Sequence, residues 1–159
     1  DHEASDGRTP LCIACQFGHG IQCAKLLLTA GAAVDHETSD GLTPLCRTAA
    51  LGEKRLLKVL LSASALPDAT GREPSSPVSV STEVADHVAD AGFSPLHWAC
   101  RENRVDCARL LLEANATVDM RATDDVTPFM LACKQGNYDC AKLLHRAGAD
   151  VDARDGQCG

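Results

Sequence analysis

One heptapeptide recurs almost unchanged in this sequence, and the recurrence constrains the fold more than any other feature. The chain reads DHEASDG at residues 1–7 and DHETSDG at residues 35–41, so the segment returns after 34 positions. The residues that follow, RTPLCIACQFG and LTPLCRTAALG, also correspond, and FSPLHWACREN and VTPFMLACKQG extend the series to four copies. A period of this length is typical of chains that stack similar supersecondary units.

The copies divide the chain into units of nearly equal length. A Leu-rich segment follows the first segment of each copy, as in CAKLLLTAGAAVD and CARLLLEANATVD. The predicted repeats span residues 4–37, 38–70, 89–121 and 122–154. Residues 71–88 fall outside the pattern and begin with Gly, Pro and Ser, which predicts an inserted loop. Incomplete repeats at both ends indicate a fragment of a longer array.

Each unit is predicted to contain two short helices. In every copy a residue with a hydroxyl group is the predicted N-cap, and Pro follows it at the first helical position. At that position the backbone N–H has no partner inside the helix, so Pro, which lacks this N–H, is tolerated. The predicted N-caps are Thr9, Thr43, Ser94 and Thr127. Helices commonly end at a residue with a left-handed backbone, which favours Gly or Asn. The expected ends are Gly18, Gly52, Asn103 and Gly136 for the first helix, and Gly31, Ser64, Asn115 and Gly148 for the second.

The motif Thr-Pro-Leu-His-x-Ala, followed by a Leu run that ends in Ala-Gly-Ala-x-Val-Asp, resembles the signature of ankyrin repeats. The resemblance covers nearly all of residues 1–159. It implies an all-α repeat solenoid, in which helix-turn-helix units stack and β-turn fingers project from one side. It also implies a concave groove that is used for protein recognition.

The sequence departs from the family pattern at two positions of the repeat. The motif His occurs only as His97, while Cys12, Cys46 and Met130 replace it elsewhere. We therefore expect the usual side-chain hydrogen bond between neighbouring turns to be lost in three repeats. Asp125 replaces a finger Gly, and Asp tolerates positive φ less well than Gly. Local stability should consequently be uneven along the array.

Charge and hydropathy argue against several classes of partner. The 15 Lys and Arg residues against 22 Asp and Glu residues give a net charge of −7, which disfavours nucleic-acid binding. No apolar stretch approaches the ~20 residues that span a bilayer. The nine Cys residues, an odd number, fit a reducing compartment better than a disulfide framework. We therefore expect a cytoplasmic or other intracellular protein that binds neither nucleic acid nor membrane.

The cysteines are the one set of residues that suggests chemistry. Cys12 and Cys15 have the C-x-x-C spacing of zinc sites and redox dithiols. In the aligned repeats, however, Cys15 corresponds to Ala49, and Cys23 corresponds to Leu56. Because Cys can act as a small buried hydrophobe, the alignment favours core packing, with metal or redox chemistry as the alternative. We expect nine free thiols, no metal and no cofactor.

No catalytic motif occurs, since the sequence contains no nucleophile elbow, Walker loop, dinucleotide fingerprint or zinc-protease helix. We therefore expect a non-catalytic protein-protein interaction module. The alternative is an array that positions substrates for a larger enzyme or channel. A basic residue recurs on every second helix, and we expect a solvated outer face rather than a phosphate site there. These residues are Lys25, Lys58, Arg109 and Lys142.

The predicted binding surface combines finger residues with the ends of the first helices. Its candidate residues are Arg8, Gln16, Phe17, Asp40, Leu42, Leu51, Phe93, Arg101, Glu102, Arg121, Asp124, Lys134 and Gln135. Phe17 and Leu51 are expected to stack beside each other as apolar anchors, or alternatively to fold back over the adjacent helix. Acidic residues at the rim favour a partner with a basic surface. They are Asp6, Glu37, Asp40, Asp90, Asp124 and Asp125.

Overall fold

The computed structural model describes residues 7–17, 20–38, 42–63 and 92–156. Within these ranges the chain forms eight α-helices and no strand. The first helices of the four pairs are α1 (Pro10–Gln16), α3 (Pro44–Leu51), α5 (Pro95–Arg101) and α7 (Pro128–Lys134). The second helices are α2 (Ile21–Thr29), α4 (Lys54–Ala63), α6 (Val105–Glu113) and α8 (Tyr138–Arg146). A 3₁₀ turn, Thr123–Asp125, precedes α7.

The helix pairs stack into two layers. In one layer α1 packs on α3, α3 on α5 and α5 on α7, and in the other α2 packs on α4, α4 on α6 and α6 on α8. The contacts of α3 with α5 and of α4 with α6 join helices that residues 64–91 separate in sequence. The four pairs therefore form one continuous stack. The predicted insert at residues 71–88 lies outside the described residues, as does Ser64.

Leu, Ala and Cys side chains build the interior, because only 3% of the residues are aromatic. Burying a Leu side chain stabilises the fold by about 1.5–3 kcal/mol. The fully buried leucines are Leu11, Leu56, Leu57, Leu60, Leu96, Leu111 and Leu144. Small residues at one position of the first helices let neighbouring helices approach closely. Three of them, Cys15, Ala49 and Cys100, are completely buried.

The hydroxyl groups of the predicted N-caps define the starts of the first helices. Thr9, Thr43 and Thr127 each accept a hydrogen bond from the backbone N–H three residues later, at 3.2–3.3 Å. Each satisfies one of the N–H groups that have no partner inside the helix. The predicted caps are therefore confirmed at these three positions. Ser94 is also confirmed as the N-cap of α5, and it forms a capping box with His97: the Ser94 side chain accepts from the His97 N–H, and the Ser94 N–H donates to the His97 side chain.

Left-handed residues end most of the helices, as the sequence predicts. Gly52, Asn103 and Gly136 follow first helices, and they have φ values of 80°, 55° and 70°. Gly31, Asn115 and Gly148 follow second helices with φ values of 81°, 61° and 92°. The first pair differs, because Phe17 caps α1 in an extended conformation with φ −115°. Gly18 lies outside the described residues.

A backbone hydrogen bond lies just before the first helix in two of the repeats. The Thr38 N–H donates to the Leu42 carbonyl at 3.2 Å, and the Ala122 N–H donates to the Val126 carbonyl at 2.9 Å. Asp125 has a φ of 59°, close to the 71° and 70° of Gly7 and Gly92. Asp125 thus adopts the left-handed conformation expected of the Gly that it replaces.

None of the helices that the structure describes has the length and hydropathy needed to cross a membrane. The longest of them, α4, has 10 residues, whereas a crossing needs ~20.

Candidate functional site

His97 ties two consecutive repeats together. The Ser94 N–H donates to His97 Nδ1 at 3.1 Å, so Nδ1 acts as the acceptor. The proton therefore lies on Nε2, which donates to the Val126 carbonyl at 3.0 Å. His97 is completely buried, and both ring nitrogens have partners. These contacts indicate that His97 holds the turn before α7 in place.

Cysteine replaces this His in the first two repeats, and its thiol points toward a backbone carbonyl in the same region. Cys46 Sγ lies 3.8 Å from the Phe93 carbonyl oxygen, and Cys12 Sγ lies 3.9 Å from that of His36. The S–H group is a weak donor. The expectation that the contact is lost is therefore wrong for Cys46, whose acceptor Phe93 stands at the repeat position of Val126. Cys12 instead approaches the carbonyl of His36, at a different repeat position.

Three large apolar side chains are exposed on α1, its C-cap and α3. Ile13 is 43% exposed, Phe17 50% and Leu51 44%. Because α1 packs on α3, these side chains stand on neighbouring helices or at their ends. The exposed side chains of the first helices and their C-caps are called here the first-helix face. Sequence reasoning missed Ile13, although its position four residues before Phe17 in the predicted helix was a usable signal.

The same face is polar in the last two pairs. Arg101 Nε lies 3.5 Å from Glu102 Oε1, in an exposed ion pair that contributes little to stability. The Arg101 guanidinium also lies 5.0 Å from the centre of the Trp98 ring, which is a cation–π distance. Lys134 and Gln135 are exposed on the last pair. Charged and amide groups therefore replace the apolar cluster of the first pairs.

Aromatic stacking holds Phe93 against its own repeat. Its ring stacks on His97 with a centroid distance of 5.4 Å and meets the edge of Trp98 at 5.7 Å. Phe93 is half-buried as a result. Trp98 was not among the predicted site residues, and its Nε1 is buried without a hydrogen-bond partner among the described residues. Phe93, Trp98 and Arg101 thus form one cluster at the third repeat.

The remaining candidate residues are distributed along the turns. Arg8 donates to Gln16 Oε1 at 3.2 Å, which links the first turn to the end of α1. Leu42 is half-buried. Arg121 contacts Asp125 at 3.6 Å and donates to the Arg154 carbonyl at 3.2 Å. Asp6, Asp40 and Asp90 lie outside the described residues, as does the side chain of Asp124.

Six of the eight described cysteines are buried, whereas Cys23 and Cys133 are exposed, so the core-packing expectation is wrong for these two. Burial keeps several of the others in the thiol form. It raises the pKa of Cys15 to about 12, and it raises the pKa values of Cys46 and Cys107 to about 11. Metal ligation requires the thiolate, so the protonated Cys15 is a poor partner for Cys12 in a zinc site. The described residues contain no group of three or more Cys, His, Asp or Glu side chains suited to a metal ion.

One pair of cysteines meets across a repeat boundary. A side-chain hydrogen bond with Cys140, together with burial, raises the pKa of Cys100. Both residues are completely buried, and Cys140 Sγ also lies 4.0 Å from the Ala99 carbonyl oxygen. They stand at different positions in their repeats, Cys100 on α5 and Cys140 on α8. Comparison of equivalent positions therefore did not reveal the contact.

The chain matches the family profile described as ankyrin repeats (three copies) over residues 1–70 and 78–155. These segments cover most of the 159 residues, so the chain belongs to the ankyrin repeat family. Ankyrin repeats form protein-protein interaction modules and are generally non-catalytic. The second matched segment begins at residue 78, inside the predicted insert at 71–88.

The chain is also similar to a curated plant protein. An alignment of 134 residues with the probable E3 ubiquitin-protein ligase XBOS32 of Oryza sativa subsp. japonica has 28% identity. It covers 76% of this chain and 27% of the rice protein. The chain therefore spans about a quarter of that relative's length.

Proposed function

We propose that this chain binds another protein through the first-helix face and the turns that precede the first helices. The observation that carries the proposal is the exposure of Ile13, Phe17 and Leu51, each between 43% and 50%. Adjacent exposed apolar side chains of this size mark interaction sites on soluble proteins. An aromatic anchor such as Phe17 contributes ~2 kcal/mol or more when a partner buries it.

Charge at the edge of the surface favours a partner with basic residues. Glu37 is exposed beside the turns, Asp125 is exposed there in its ion pair with Arg121, and the whole chain carries a net charge of −7. Complementary charge of this kind increases the rate of association more than the affinity. The proposed partner thus presents apolar side chains to α1 and α3 and basic side chains to the turns.

Site-specific photo-crosslinking tests the proposal. A photoreactive phenylalanine analogue at position 17 should crosslink the partner in a cell extract, and the same analogue at Arg109 on α6 should not. The crosslinked protein is then purified, and its affinity for the unmodified chain is measured by calorimetry. Equal crosslinking from positions 17 and 109 would exclude the first-helix face as the binding surface.

A second candidate function is that the array positions substrates for a catalytic domain of a longer polypeptide. The similarity to a protein named as a probable E3 ubiquitin-protein ligase favours this alternative. The full reading frame is the direct test, because a flanking ligase domain would be visible in it. If one is found, the full-length protein should ubiquitinate the crosslinked partner, and Phe17→Ala with Leu51→Ala should slow that reaction.

We also propose a reducing, intracellular location. The support is that six of the eight described cysteines are buried as free thiols, a state that reducing compartments maintain. Localisation of a fluorescently tagged full-length protein tests this part of the proposal.

A further inference from the structure

The exposed second helices of the first two pairs carry only positive charge. Helix α2 contains Lys25, α4 contains Lys54, Arg55 and Lys58, and neither helix contains Asp or Glu. This segregation occurs in a chain whose net charge is −7. Lys54 is engaged by Asp106 on α6, with Nζ 3.2 Å from Oδ2. The other three cations form no ion pair with any residue that the structure describes.

These three cations border one groove between α2 and α4. The groove has a volume of about 750 Å³. Lys25 stands on its α2 side, Arg55 and Lys58 stand on its α4 side, and none of the described residues that line it is a carboxylate. Ile21 and Val59 provide apolar surface within the groove, and both are half-buried. The open groove therefore combines three cations with the partly exposed apolar surface of Ile21 and Val59.

The combination of cations and apolar surface in this groove favours some anionic ligands over others. Inorganic phosphate would use the cations but would fill little of a groove of this size. A flat bilayer surface would reach the exposed cations, but the half-buried Ile21 and Val59 would insert little apolar surface into it. An acidic amphipathic peptide satisfies both features, because its apolar side chains can enter the groove while its carboxylates pair with Lys and Arg at the rim.

We propose that the groove between α2 and α4 binds an acidic, amphipathic peptide segment of a protein partner. The apolar side chains of the segment rest on Ile21 and Val59, and its carboxylates pair with Lys25, Arg55 and Lys58. This second binding surface lies on the layer of second helices, whereas the first-helix face belongs to the other layer. It therefore does not depend on the function proposed above.

The test uses the whole chain and a fluorescent peptide of about 14 residues, in which Leu at helical spacing is flanked by Glu. Anisotropy should report binding that weakens with added salt. The variant Lys25→Glu/Arg55→Glu/Lys58→Glu should bind at least ~10-fold more weakly. Its matched control is Arg109→Glu/Lys142→Glu, because these residues occupy the same repeat position as Lys25 and Lys58. The control should retain wild-type binding.

Additional peptides, vesicles and variants distinguish between the possible ligands and between the two binding surfaces. A peptide with Ser in place of Leu should lose binding, and phosphatidylcholine vesicles with phosphatidylserine should bind no better than vesicles without it. The Phe17→Ala/Leu51→Ala variant should bind the peptide normally. If the triple variant has lost helicity by circular dichroism, Lys25→Gln/Lys58→Gln replaces it, with a smaller loss expected. Equal binding of the two peptides, equal loss in the control variant, or preference for anionic vesicles would overturn the proposal.

Discussion

In the first two helix pairs, Cys12 and Cys46 stand where the third pair has His97. Their thiols approach backbone carbonyls at 3.8–3.9 Å, whereas His97 bonds the next turn at 3.0 Å and its own N-cap at 3.1 Å. The helices nevertheless stack in the same way in the first two pairs (the first half) and in the last two pairs (the second half). Interior packing by Leu and small residues is thus sufficient for the architecture, and the hydrogen bonds between turns modulate local stability.

The exposed surfaces of the two halves differ more strongly than their interiors. The first-helix face is apolar at Phe17 and Leu51, but the same repeat position holds Glu102 and Gln135 in the last two pairs. The second helices are purely basic in α2 and α4, whereas α6 and α8 mix acidic and basic residues. Tight packing restricts the buried positions, while exposed positions are available for recognition.

Thiol labelling should give the largest contrast. Cys23 and Cys133 are exposed, so they should react with iodoacetamide in the native protein at pH 9. Cys15 and Cys46 should react ~1,000-fold more slowly, because they require local opening of the fold. Their raised pKa values, about 12 for Cys15 and about 11 for Cys46, also keep them protonated at pH 9. Mass spectrometry of labelled peptides measures the rates.

The same experiment compares the two halves directly. If the weaker contacts between turns make the first half open more readily, Cys46 should be labelled ~10-fold faster than Cys100. Denaturation without a reductant should expose nine reactive thiols in total, which is the number of Cys in the sequence. Stoichiometric zinc, or disulfides in protein never exposed to an oxidant, would contradict the packing interpretation.

Substitution by Ala should lower the free energy of unfolding more at His97, in the third repeat, than at Cys46, which occupies the same position in the second repeat. His97→Ala leaves the Ser94 N–H and the Val126 carbonyl without their partner and creates a cavity, so we expect a loss of ~2–4 kcal/mol. Cys46→Ala removes a weak donor and a smaller volume, for a loss of ~1 kcal/mol. Urea denaturation followed by circular dichroism measures both values. Equal losses would mean that the two contacts are equivalent.

The two halves of the first-helix face should also differ in binding. Phe17→Ala with Leu51→Ala should weaken binding of the crosslinked partner at least ~10-fold, which corresponds to ~1.4 kcal/mol. The matched control, Glu102→Ala with Gln135→Ala, changes the same repeat position in the last two pairs and should change affinity less than ~3-fold. Both variants should keep the wild-type circular dichroism spectrum. Unfolding of the first variant would instead place Phe17 and Leu51 in the core.

Local chemistry made the helices predictable from the sequence. Thr9 and Thr43 precede Pro, and this pair of signals needs no tertiary context to start a helix. Asn103 and Asn115 were recognisable as helix ends because the left-handed conformation restricts the choice of residue. The all-helical stack and the family followed from the recurrence of these signals at a fixed period.

Contacts between repeats were harder to predict. The hydrogen bond of Cys140 with Cys100 joins different repeat positions on neighbouring pairs, and a comparison of equivalent positions does not detect it. The groove between α2 and α4 arises similarly, because Arg55 falls outside the recurring basic position and joins Lys25 and Lys58 only after packing. The stacking of Phe93 on His97 depends on side-chain orientation, which the pattern of residues does not specify.

The smallest effect is expected from deleting residues 71–88. Helix α3 already packs on α5 and α4 on α6, so the two halves should remain one cooperative unit without this segment. Loop closure depends only weakly on length, and we expect the free energy of unfolding to change by less than ~1 kcal/mol. Thermal unfolding followed by circular dichroism should show one transition. A Gly-Ser linker of the same length in place of residues 71–88 is the control. If both variants lose helicity, the segment packs into the stack. If only the deletion variant loses helicity, the shortened connection is too short, and the predicted repeat bounds are wrong.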